Sequence, residues 1–141
     1  MKHIFSCLLT LYACVLSHAQ QSVLTCADFK EGSFIIPMEE NIPFETLIIR
    51  QGDEQREVVE INGEVSEATV KMVWTSDCTY ELHYISSHND PDFIDSDSFK
   101  ETVTYVEITK IEDSCAYIIA SATIKGEYVQ MPGRMCKEEL L

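Results

Sequence analysis

The sequence predicts an all-β protein: a single up-and-down meander barrel of about eight strands, entered through a short N-terminal helical turn. Three observations carry this. Cys78, Tyr80, Leu82 and Tyr84 alternate strictly with Thr79, Glu81 and His83, the period of a strand with one face in a core and one in water. Turn pairs at Gly52-Asp53, Asn62-Gly63 and Lys125-Gly126 punctuate apolar, β-branched runs, and Asn-Gly is the strongest of these hairpin signals. No segment holds a helical period over three turns. Such strands suit a sandwich or a small barrel. Consecutive hairpins without a long crossover favour the barrel, because closure leaves no exposed edge.

The elements follow in order. Ser22 to Glu31 has mixed polarity and suits a helical turn. Gly32 to Ile36 reads as a strand stopped by Pro37, and Met38 to Pro43 as a loop. Phe44 to Gln51 is apolar and β-branched, hence a strand; it turns at Gly52-Asp53 and returns over Gln55 to Ile61. Glu64 to Ala68 fits strand or loop. Val70, Met72 and Trp74 alternate with their neighbours and lead into the Cys78–Tyr84 strand. Ser86 to Ser98, rich in Asn, Asp, Pro and Ser, reads as the longest loop. Phe99 to Ile111 is strand-like, with Thr102, Thr104, Val106 and Ile108 on one face. Ala116 to Ile124 carries apolar residues at every even position. Glu127 to Lys137 returns, interrupted by Pro132-Gly133.

Residues 1–19 read as a secretory signal peptide: basic Lys2 and His3, an apolar run from Ile4 to Leu16 too short to span a bilayer, and small residues at Ser17 and Ala19. Lipoprotein processing at Cys14 is the alternative, on the loose match of Leu11-Tyr12-Ala13-Cys14. The expected domain is therefore 20–141, exported to the periplasm or beyond. It has no transmembrane segment. Net charge is −14 over the full chain and about −15 without Lys2, so nucleic acid and anionic surfaces are not expected partners.

Cys26, Cys78, Cys115 and Cys136 remain after cleavage, an even number that reads as disulfides in an exported chain. A two-residue turn at Lys125-Gly126 sets Cys115 opposite Cys136. Pairing Cys115–Cys136 leaves Cys26–Cys78, which staples the N-terminal segment to the central strand. No CxxC pair exists, which argues against zinc.

Two stretches resemble a known group. Cys26-Ala27-Asp28-Phe29-Lys30-Glu31-Gly32-Ser33-Phe34, followed by Trp74-Thr75-Ser76-Asp77-Cys78-Thr79-Tyr80-Glu81-Leu82, is similar to small exported proteins of Gram-negative bacteria. Their function is unknown and their fold is lipocalin-like. The label DNA topoisomerase IV sometimes attaches to such sequences; an acidic chain with no Gly-rich phosphate loop and no basic patch does not support it. Asp28-Phe29-x-x-Gly32-x-Phe34 also resembles the lipocalin entry, with Phe34 where lipocalins carry Trp. The resemblance implies a lipocalin-like barrel.

No catalytic residue, metal ligand or cofactor site stands out. His83, on a polar strand face, and His88 lie near Asp90, Asp92, Asp95 and Asp97, but Asp95 stands where a calcium loop requires Gly. A solvated acidic loop is the simpler reading. No nucleophile-and-base signature is present. Trp74, Tyr80, Leu82, Tyr84, Val106, Ile108, Ile118, Ala120 and Ala122 either line an apolar pocket or fill a core, and Ala120 and Ala122 are small for a filled one. Tyr117 and Ile119 fall on the opposite face and offer a surface patch. The expected function is non-catalytic binding of a small apolar or amphipathic ligand. The alternative is an envelope protein–protein interaction module with a filled core and no ligand.

Overall fold

A computed structural model describes residues 23–89, 97 and 100–138. The signal-peptide reading of 1–19, with Cys7 and Cys14, and the acidic positions Asp90, Asp92 and Asp95 lie outside these residues. The chain forms a closed antiparallel barrel in which every strand pairs with its sequence neighbours: β1 Gly32–Ile36, β2 Thr46–Gln51, β3 Glu54–Ile61, β4 Glu64–Trp74, β5 Thr79–His88, β6 Val103–Glu112, β7 Cys115–Ile124 and β8 Glu127–Lys137. The eight-stranded up-and-down barrel predicted from the sequence is the fold observed. A 3-10 turn, Cys26–Phe29, precedes β1. Asp28 holds this turn by accepting the backbone N–H of Thr25 at 2.8 Å and its hydroxyl at 3.0 Å.

Turn chemistry sets the register. Asn62 and Gly63 (φ 55° and 82°), like Lys125 and Gly126 (φ 51° and 82°), place both central residues in the left-handed region, as the two-residue turns that match strand twist require. The Lys125-Gly126 turn sets Cys115 directly opposite Cys136. Both expected disulfides, Cys26–Cys78 and Cys115–Cys136, are present.

Several boundaries differ from the sequence reading, β2 for one beginning at Thr46 and not at Phe44. Glu64 to Ala68 is strand throughout, so β4 runs unbroken to Trp74. β5 extends through His88, taking Ser86 to His88 out of the expected loop. β6 begins at Val103, while Asp97 and Lys100 are helical, with Lys100 Nζ 3.4 Å from Asp97 Oδ1 one turn away. Pro132-Gly133 does not interrupt β8, whose register with β7 runs unbroken from Glu127 to Cys136. The reason lies on the other side of β8. It pairs with β1 only at Phe34↔Lys137 and Ile35↔Cys136, so Pro132 sits on a locally open edge where no amide hydrogen is needed.

The turns at Gly52-Asp53, Thr75–Cys78 and Asp113-Ser114 gather at one end of the barrel, and the 3-10 turn closes that end. Phe29 and Cys26 are buried there among Phe34, Ile48, Tyr80, Ile108, Ala116 and Met135. The opposite end carries the β1–β2 loop and the turns at Asn62-Gly63 and Lys125-Gly126. The outer wall is charged at mid-strand, with Arg56 3.6 Å from Glu67, Lys71 3.7 Å from Asp53, and Glu81 beside His83. Cations on a lipid-facing wall would cost about 2–4 kcal/mol each at the bilayer midplane, so this wall suits water. Among the described residues no helix is long and apolar enough to cross a membrane.

Candidate binding site: the barrel interior

All nine sequence-selected positions face inward. Trp74 pairs with Tyr80, Tyr80 with Val106 and Val106 with Ala120, a belt around half the barrel. Leu82, Tyr84, Ile108, Ile118 and Ala122 keep the same phase on their strands. They do not share one environment. Tyr80, Val106, Ile108 and Ala122 are buried, whereas Trp74, Leu82, Tyr84, Ile118 and Ala120 keep solvent contact. Val70, opposite Tyr84, does too, and Met131, opposite Ala120, is 52% exposed although it shares the inward phase of buried Met135. Of these, Trp74, Leu82, Ile118 and Ala120 pack against the buried cluster, while Val70, Tyr84 and Met131 do not belong to it. Tyr117 and Ile119 face outward, as expected.

The floor is built around Arg50, which is 3% exposed. Its Nη1 donates to the Phe29 carbonyl at 2.6 Å, Nη2 to the Tyr80 hydroxyl at 2.6 Å, and Nε to Gln55 Oε1 at 2.8 Å. The guanidinium also lies over Tyr80, Phe34 and Trp74, at 4.6, 5.6 and 5.9 Å from the ring centroids. Lys30 covers Trp74 at 4.7 Å. Arg50 thus ties the 3-10 turn, β2, β3 and β5 together. The stretches that resemble the exported group supply Phe29, Phe34, Trp74 and Tyr80, four of the rings and carbonyls around it.

Gln55 passes the chain on. Its Nε2 donates to Glu57 Oε1 at 2.6 Å. Glu57 lies opposite inward Ile48, so it points into the barrel. The residue is half-buried. Burial pushes its pKa up from the ordinary 4.5, against the opposing pull of the Gln55 hydrogen bond and the Arg50 charge. Burial likewise raises the Tyr80 phenol, again opposed by Arg50. The phenol therefore stays protonated and accepts from Arg50.

A raised carboxyl pKa has a defined consequence for stability. Between 4.5 and its folded value, Glu57 binds more protons folded than unfolded, so its contribution falls as pH rises through that window and is largest below it. Asp28 and Glu112 are both lowered, by the Thr25 and Lys110 hydrogen bonds respectively, and act in the opposite sense. The difference between wild type and Glu57→Gln isolates Glu57. Thermal melts from pH 4 to 8 are expected to show the wild type losing stability relative to the variant as pH rises. A constant difference would contradict the placement of Glu57.

The sequence reading missed Arg50, Gln55 and Glu57. Their signal was present: the Gly52-Asp53 turn sets Arg50 opposite Gln55 and Ile48 opposite Glu57, so an inward Ile48 carries all three inside. Among the expected histidine positions, His83 Nε2 lies 2.8 Å from Glu81 Oε2 on the outer wall, and His88 is exposed at the end of β5. Among the described residues no three His, Cys, Asp or Glu converge as a metal site.

The outside of the barrel carries a separate feature. A groove of about 270 Å³ runs over β5 to β8 and is lined by Tyr105, Glu107, Ile119, Ser121, Tyr128 and Gln130, among others. Tyr105 and Tyr128 are 54% and 68% exposed.

A scan against protein-family models finds no match, and comparison with curated proteins and with solved structures finds no similar chain.

Proposed function

We propose that this protein is an exported, non-catalytic, lipocalin-like barrel that binds a small apolar or amphipathic ligand in its interior. The observation that carries the reading is the partial exposure of the inner wall, where Val70, Tyr84 and Met131 keep solvent contact at inward positions outside the buried cluster. Export is supported by the two disulfides, which persist in oxidising compartments, and by the signal-like start at Lys2 to Ala19. The entry motif Cys26 to Phe34 and the Trp74 to Leu82 stretch support kinship with the exported Gram-negative group.

Native mass spectrometry of protein purified from its own host is the direct test, with a co-purifying lipid-like molecule expected. A second test fills the interior. Ala120→Phe adds a ring between Val106 and Met131 and is expected to weaken binding of the neutral probe N-phenyl-1-naphthylamine at least tenfold, with the fold retained by circular dichroism. Unchanged probe affinity in this variant would sink the proposal.

A second reading rests on the outer groove. Exposed tyrosines around a depression are typical anchors for protein partners, and Tyr105, Ile119 and Tyr128 provide them. A bare polypeptide in the native spectrum would favour this envelope interaction role.

A further inference from the structure

We infer that Glu57 is the polar anchor of the interior site and that the ligand is a cationic amphiphile, an alkyl chain carrying a protonated amine. This rests on the interior-binding reading and adds the class of ligand.

The polar chain inside the barrel has a direction. Arg50 starts it at the floor, Gln55 relays it, and Glu57 ends it at the cavity. Three of the five guanidinium N–H groups donate, one from each nitrogen, to Phe29, Gln55 and Tyr80, and the residue is only 3% exposed. The interior cation is thus held in the floor by its hydrogen bonds and by burial among Phe29, Phe34 and Tyr80, which shields it from an anionic head group. Glu57 is committed through one oxygen only. Its Oε1 accepts from Gln55, and among the described residues nothing pairs with Oε2. What the chain presents to the cavity is thus half of a carboxylate in an enclosed setting, where a charge-assisted hydrogen bond to an ammonium gains more than it would in water.

The surroundings complete an amphipathic lining. Ile48 and Ala68 flank Glu57 across the neighbouring strands. Leu82, Tyr84 and Ala120 continue an apolar wall for the hydrocarbon part. The charged and titratable groups facing Glu57 are Arg50 and Tyr80; Arg50 is held in its hydrogen bonds and Tyr80 is neutral. The approach favours the same class of ligand. Glu40, Glu45, Glu64 and Glu127 stand in or beside the turns at the end opposite the floor, where Lys125 and the Arg134–Glu39 pair (3.2 Å) supply the cations, on a chain of net charge −14. Such a field raises the local concentration of cations and repels fatty acids.

The test compares three probes of equal chain length on the full protein: decylamine, decanol and decanoate, each below its aggregation concentration. Binding is read by displacement of N-phenyl-1-naphthylamine. Wild type is expected to bind decylamine at least tenfold tighter than decanol, and decanoate most weakly. Glu57→Gln is expected to bring decylamine and decanol within about twofold of each other while still binding the naphthylamine probe. Glu57→Asp, which keeps the charge, is expected to retain part of the preference. An amine preference that survives in Glu57→Gln, or none in the wild type, overturns the anchor and leaves the binding reading standing. Failure of every probe to bind the wild type overturns both.

Discussion

Replacing Arg50 with methionine is expected to cost about 3–5 kcal/mol of stability, the range for removing one partner of a buried charged network. Methionine fills much of the volume but donates nothing. The Phe29 carbonyl, the Tyr80 hydroxyl and Gln55 Oε1 would each lose a short hydrogen bond in a dry floor, and unsatisfied buried acceptors cost about 1–3 kcal/mol each, not additively. Glu57 would also lose the positive charge that opposes its burial penalty. Urea unfolding monitored at Trp74 measures the change. Adding Glu57→Gln to Arg50→Met should recover part of the loss, because the two groups are coupled through Gln55. A cost below about 1 kcal/mol would show that Arg50 is not the keystone of the floor.

Removing the Cys26–Cys78 bridge, as Cys26→Ala with Cys78→Ala, is expected to cost about 4 kcal/mol, against about 3 kcal/mol for the Cys115–Cys136 pair, by the chain-entropy account of closed loops. The two bridges span separations of 52 and 21 residues. The first carries a further role. It fixes the 3-10 turn under the barrel, and with it Phe29, whose carbonyl anchors Arg50. The second ties neighbouring strands already in register. Denaturant midpoints of the two double variants rank the bridges. A smaller loss for Cys26/Cys78 would mean that the floor docks without its staple.

Local chemistry made most of the barrel legible. Asn62-Gly63 is the strongest hairpin signal in the chain, and counting from the turn candidate Lys125-Gly126 placed Cys115 against Cys136. The alternation from Tyr80 to Tyr84 fixed the inward face of β5 and, through its partners, those of β4 and β6. Other features depend on tertiary pairing. Pro132 reads as a breaker until the open edge beside it is known. The bulge between Ile108 and Lys110 shifts the phase of β6, bringing Ile111 rather than Lys110 to the core; no local signal announces it. Arg50 reads as a surface charge at the end of an apolar run. The turn register puts it on the inward phase, but the acceptors that satisfy it there, on the 3-10 turn and Tyr80, lie 21 and 30 residues away in sequence.

The seam between β1 and β8 joins Phe34 to Lys137, 103 residues further along the chain. Closing so long a span is the slowest kind of contact for a folding polypeptide to find. The cystines offer a covalent shortcut. A path from Phe34 back to Cys26, across to Cys78, on to Cys115 and across to Cys136 is less than half as long. Since each doubling of a loop adds about 0.6 kcal/mol to its closure entropy, oxidation lowers the barrier to sealing the barrel by about that amount. The redox state of the compartment thereby enters the rate at which the chain matures, as well as the stability of the finished protein.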